Sequence, residues 1–286
     1  MTHTIIVTES TADIPAELIA KYDIRIIPLR LFFGEQSYAD GVDITSAEFY
    51  SKLSASAQLP TTSQPSPADY TAMYEKLTAE HPGSPIISIH LSSGLSGTYQ
   101  SATIGRSMLD DHSHITVIDS KSASYGYGLA VVHAARLAEQ GKSVAEIEAG
   151  VAHILSRREL YFMVDDLEYL RKGGRIGRAS AVLGTLLNVK PILSIDENGV
   201  IYPVEKVRGQ KKAMTRIVEM MRQNLNVRKI NLALGHTANR ESCEPLLQMI
   251  REHYEIGELV FSEVGPVIGT HAGPGTIAMF AWPDEE

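Results

Sequence analysis

Short β-branched apolar runs alternate with amphipathic stretches along the first half of the chain. Thr4–Thr8, Ile24–Phe33, Pro85–Leu91 and Ile115–Asp119 read as strands. Between and beyond them, Pro15–Tyr22, Thr45–Leu53, Asp69–Glu80, Tyr99–Leu109 and Leu129–Gln140 carry helical spacing. Pro15 suits a first helical turn, and Glu48 follows Thr45 by three residues, as in a capping box. Gly34–Gly41 is a polar turn region, and Leu59–Pro67 is too proline-rich for either regular element. Strands separated by helices predict a parallel sheet with helices on both faces.

The second half has a different pattern. Val144–Arg157 is a helix that can bridge the halves, and Leu160–Val164 is a strand. Asp165–Lys172 is a short helix, acidic at its start and basic at its end, closed by Gly173 and Gly174. Ala179–Leu187 is helical. Pro191–Asp196 and Val200–Val207 flank an Asn198-Gly199 hairpin signal. Helices over Gln210–Asn224 and Glu241–His253 alternate with strands at Ile230–Leu234, Glu258–Glu263 and Thr276–Trp282. The expected fold class is α/β with two domains. Residues 1–158 form an N-terminal α/β/α layer with a mainly parallel sheet, and residues 159–286 a C-terminal two-layer α/β domain with a mixed sheet.

Composition narrows the function classes. At 286 residues and 44% hydrophobic content, the chain can bury a large core. A formal net charge of −8 leaves no basic footprint for nucleic acid or anionic lipid. No signal-peptide core or membrane-length apolar run is present, so a cytoplasmic location without stable membrane insertion is expected. Cys243 stands alone, which permits no intrachain disulfide.

Candidate chemistry concentrates in four stretches. Ser92 to Thr98 is a Ser- and Gly-rich hinge between a strand and a helix, where close backbone approach and free N–H groups would suit a carboxylate. The alternative is a plain capped turn. Thr61, Thr62, Ser63 and Ser66 place hydroxyls on a proline-stiffened loop. Gly173 to Arg178 is basic and glycine-rich but is neither a dinucleotide fingerprint nor a P-loop; it could meet a phosphate or an acidic partner, or be a solvated helix end. His271 sits among small residues in Val267–Thr276, the most ligand-like placement among ten histidines. The Gly94–Thr98 run fails the nucleophile-elbow pattern because threonine occupies position 98. The Asp110–His114 cluster lacks a metal-ligand spacing, so no metal site is expected, and no residue is assigned a catalytic role.

Seven stretches taken in order resemble the DegV family of bacterial fatty-acid-binding proteins, which includes the FakB subunits of fatty acid kinase. They are Thr8–Asp13, Asp40–Ile44, Thr61–Ser66, Leu91–Ala102, Leu167–Ile176, Val189–Leu193 and His271–Thr276. One departure is Glu9, where the family usually has aspartate. The resemblance implies a long-chain fatty acid held in a tunnel between two domains, with no other cofactor. It assigns the carboxylate to Thr62 and Ser93, with Ser96 as a helper and His271 on the adjoining loop. It assigns Arg175, and more loosely Arg208, to contact with a fatty acid kinase subunit. The chain has no nucleotide loop of its own, so phosphoryl transfer to acyl phosphate would belong to that partner. The physics is compatible: buried methylenes supply affinity at about 0.8 kcal/mol each, and hydroxyls and N–H groups satisfy the acid. Two rival readings remain at this stage. One is a serine esterase or thioesterase using Ser93 or Ser96, and the other a lipid-responsive regulator.

Overall fold

A computed structural model describes residues 3–183 and 189–284. The first sheet is fully parallel, in the order β2-β1-β6-β7, from β1 (Ile5–Glu9), β2 (Arg25–Ile27), β6 (Ile86–His90) and β7 (Ile115–Asp119). Every residue of β1 and β6 is buried, as expected of strands covered on both faces. α3 (Pro67–Glu80) and α4 (Thr98–Ser107) cover one face, where Tyr70, Tyr74 and Ala102 pack on Ile5, Val7 and Ile86. α5 (Tyr125–Glu139) covers the other, with α1 (Ala16–Lys21) and α6 (Val144–Arg157) beside it.

The second sheet has six strands in the order β10-β9-β8-β13-β11-β12. These are β8 (Glu159–Met163), β9 (Val189–Ile195), β10 (Ile201–Arg208), β11 (Lys229–His236), β12 (Glu255–Glu263) and β13 (Ile277–Pro283). Only β11 and β12 pair in parallel, so the sheet is mixed. Alternation along β8 and β13 serves two cores. Leu160, Phe162, Ala278 and Phe280 face α5, whereas Tyr161, Met163, Ile277 and Met279 face α8 (Gln210–Asn224) and α9 (Glu244–Arg251). α5 therefore lies between two sheets. Eleven of its residues are buried, which is why its sequence is apolar all round.

The chain leaves the first set of layers between Arg157, the end of α6, and Glu159, the start of β8. Several elements differ from the sequence expectation. The Ile24–Phe33 strand is two strands: Pro28 and Leu29 separate β2 from β3 (Arg30–Phe33), which belongs to another sheet. The Gly34–Gly41 turn contains β4 (Gln36–Ala39), and the proline-rich Leu59–Pro67 stretch contains β5 (Thr61–Ser63). Together they form the antiparallel sheet β4-β3-β5, packed on α2 (Ser46–Ala55) through Leu31, Phe49 and Leu53. α5 starts four residues before Leu129, because burial outweighs the helix cost of Gly126 and Gly128. Ala179 begins no α-helix: residues 177–182 form a 3-10 turn, and the rest of the expected helix lies outside the described residues. Asp165–Lys172 shortens to α7 (Glu168–Lys172). The Val267–Thr276 loop contains α10 (Pro266–Ala272).

Candidate functional site

Between the two sheets, at the N-terminal end of α5, lies a cavity of about 910 Å³, counting its solvent-facing mouth. Its walls are mainly apolar. Leu91 closes the end of β6, Leu160, Phe162, Ala278 and Phe280 come from β8 and β13, and Val267 and Ile268 from α10. Ile195 and Ile201, on the two strands of the Asn-Gly hairpin, complete one side. Among the polar groups, Thr62, Gln64, Ser96, Arg175 and His271 line the cavity, as do Ser124 and Thr276.

The structure gathers four of the six expected site residues at this cavity and leaves two outside its lining. Thr62, on β5, sits across from His271 near the end of α10, with 2.9 Å between Thr62 Oγ1 and His271 Nε2. Burial, then the nearby Arg175 charge, pushes the His271 pKa down to about 4, so the imidazole is neutral at physiological pH. Its Nδ1 is buried without a partner and lies against α7, where a Cβ on Gly173 would stand 2.2 Å away. Only glycine fits there. Arg175 is fixed by two carbonyls: Nε donates to Leu95 O at 3.0 Å and Nη1 to Gly173 O at 2.7 Å.

Ser96 lines the cavity, and its hydroxyl lies 2.7 Å from Thr98 Oγ1. Ser93 points elsewhere. Its hydroxyl accepts from Lys121 Nζ at 3.0 Å, and its amide donates to Asp119 Oδ1 at 3.1 Å. Burial works against the charge on Asp119, but hydrogen bonds from Lys121 and Ser93 hold its carboxyl below the usual range. Neither Ser93 nor Ser96 is hydrogen-bonded to an imidazole. Arg208 is exposed at the end of β10, outside the cavity lining. Arg175, expected to contact a partner, lines both the cavity and a depression outside it.

This second depression, bounded by Leu59, Lys172 and Thr270, shares Thr62, Arg175 and His271 with the cavity. These three side chains therefore separate the apolar interior from solvent. Sequence reasoning passed over Gln64, Ser124 and Thr276. Gln64 and Thr276 lay inside noted motifs, but Ser124 gave no signal, because only packing of α5 against β13 brings it to the cavity. Among the described residues no helix is long and apolar enough to cross a membrane, and no group of three or more His, Cys, Asp or Glu side chains could hold a metal ion.

Fold and cavity together define a two-domain α/β protein with a mainly apolar chamber, bordered by Thr62, His271 and Arg175. The profile described as "Uncharacterised protein, DegV family" matches residues 3–284, and the chain belongs to the DegV family. It is 40% identical to a DegV domain-containing protein of Caldanaerobacter subterraneus subsp. tengcongensis, covering 96% of this chain and 97% of that one. A Thermus thermophilus structure reported as fatty acid binding of a DegV family protein superimposes with a TM-score of 0.92, at 34% identity, over 99% of this chain and 100% of that one. The structure of DegV from Bacillus subtilis, described as a fatty acid binding protein, gives a TM-score of 0.88 at 36% identity, with 99% and 100% coverage.

Proposed function

We propose that this chain binds one long-chain fatty acid, tail inward, and presents its carboxylate to a kinase partner that makes acyl phosphate. The observation that carries the reading is the cavity itself: an apolar chamber whose polar end is a hydroxyl, imidazole and guanidinium cluster at the border with solvent. Two related structures are described as fatty acid binding, which supports the same ligand class.

Chemistry at the polar end suits an acid. With a neutral imidazole, the Nε2–H tautomer donates to Thr62 and leaves the enclosed Nδ1 as an acceptor rather than a stranded donor. The Thr62 hydroxyl is then free to donate to a carboxylate, and Ser96 can add a second donor. Arg175 supplies positive charge from a guanidinium already held by Leu95 and Gly173, so it favours the ionised acid without enclosing it. The shared outer depression leaves the acid's oxygens within reach of a partner's phosphoryl donor. Arg175 and Lys172 would face that partner.

Native mass spectrometry of the purified protein tests the ligand: a retained fatty acid is expected. A protein that stays empty after incubation with several chain lengths and unsaturations defeats the reading. Formation of acyl phosphate only when a fatty acid kinase, ATP and loaded protein are combined tests the presentation step.

A further inference from the structure

α10 carries His271 near one end, and a buried carboxyl holds the other. Asp13 Oδ1 accepts from the Gly265 amide at 3.1 Å, and the Asp40 carboxyl lies beside it, 3.7 Å from where a Cβ on Gly265 would stand. Asp13 belongs to the turn after β1, and Asp40 follows β4, so both come from the first half of the chain and α10 from the second. The clasp has further ties. Ser262 Oγ donates to Asp13 O at 2.7 Å, Tyr50 Oη donates to Val264 O at 2.9 Å, and Ser124, from the cavity wall, donates to Asp13 Oδ2. Asp40 is 4% exposed, and its Oδ2 has no partner. Burying two carboxyls this closely is costly. Packing α10 would not require them.

From Gly265 to His271 is a rise of only about 9 Å, so α10 moves as one short rod. Its far end meets Thr62 through a 2.9 Å contact, and a shift of a few tenths of an ångström weakens such a bond. We propose that Asp13 is a positioning residue for the head-group site: its carboxyl fixes the start of α10 and thereby aims His271 at Thr62. This rests on the head-group reading above, and its test separates the two.

The experiment measures the affinity of a saturated fatty acid and of the alcohol of equal length for wild type, Asp13→Ala, His271→Ala and the double variant. Asp13→Ala is expected to weaken acid binding by about tenfold while the alcohol changes by less than about twofold. In the His271→Ala background the same substitution should add less than about twofold, because its route is already cut. Equal losses for acid and alcohol, or an undiminished loss in the His271→Ala background, overturn the proposal. If His271→Ala itself treats acid and alcohol alike, the head-group reading falls instead, and the positioning role with it. Gly265→Ala is the second variant should Asp13→Ala not fold. Its Cβ would stand 2.9 Å from Asp13 Oδ1, displacing the carboxyl from the other side with the same expected pattern.

Discussion

Replacing Thr62 with valine while shortening the ligand separates the two ends of the site. Valine keeps the volume and the β-branching that β5 favours, and removes only the hydroxyl. A hydrogen bond to a charged group contributes about 1.5–3 kcal/mol, so Thr62→Val should weaken fatty acid binding by about 10- to 150-fold. The loss should fall near the upper end, since the same change leaves His271 Nε2 without its 2.9 Å partner. Tail burial is independent of this. The chamber is lined by Leu, Ile, Val, Phe and Ala side chains, so each methylene is worth about 0.8 kcal/mol, or about fourfold in affinity. Going from a twelve- to a sixteen-carbon acid should tighten binding by about 200-fold in both proteins. Displacement of a fluorescent fatty acid across a chain-length series would then give two parallel lines on a logarithmic scale. Lines that converge, or a variant with unchanged affinity at every length, refute a chamber with its acid end at Thr62.

Other outcomes follow from groups around the site. In ligand-free protein, NMR titration should find the His271 imidazole changing state at about pH 4 rather than the ordinary 6.5. A folded pKa below the unfolded one means that its stabilising contribution is complete above pH 6.5 and is lost as the pH falls towards 4. Titration near 6.5 would show that burial and Arg175 do not act on the ring. Glu9→Leu should cost at least about 3 kcal/mol in urea unfolding, because it strands three buried donors or partners at once, the Leu91 amide, the Tyr127 hydroxyl and His90. A loss under about 1 kcal/mol would contradict that network. Gly199→Ala should lower stability by about 2 kcal/mol or more, since φ is +75° and the new Cβ would lie 1.8 Å from Ser92 Oγ, the group that ties the hairpin to the hinge. A neutral result would mean that this hairpin contact is not formed.

Local chemistry was readable where a residue's neighbours in sequence are also its constraint. The runs Thr4–Thr8 and Pro85–Leu91 hold the buried strands β1 and β6 because no other element hides both faces of so short an apolar segment. Asn198-Gly199 makes its hairpin because its turn demands positive φ, which Gly199 adopts at +75°. The hydroxyl-rich loop, the hinge and His271 were identifiable as chemistry-bearing stretches on the same local grounds, and Thr62, Ser96 and His271 do line one cavity. Tertiary structure decided the rest, since it depends on partners distant in sequence. Thr61–Ser63 became a strand through pairing with Arg30–Phe32, and the single run Ile24–Phe33 was divided because its halves met different sheets. Whether Ser93 or Ser96 faces the chamber was set by Lys121 and Asp119, which draw Ser93 away. The hold of Asp13 on the start of α10 joins residues 252 positions apart. Sequence pattern records which faces are apolar, but not which remote group fills each remaining hydrogen bond.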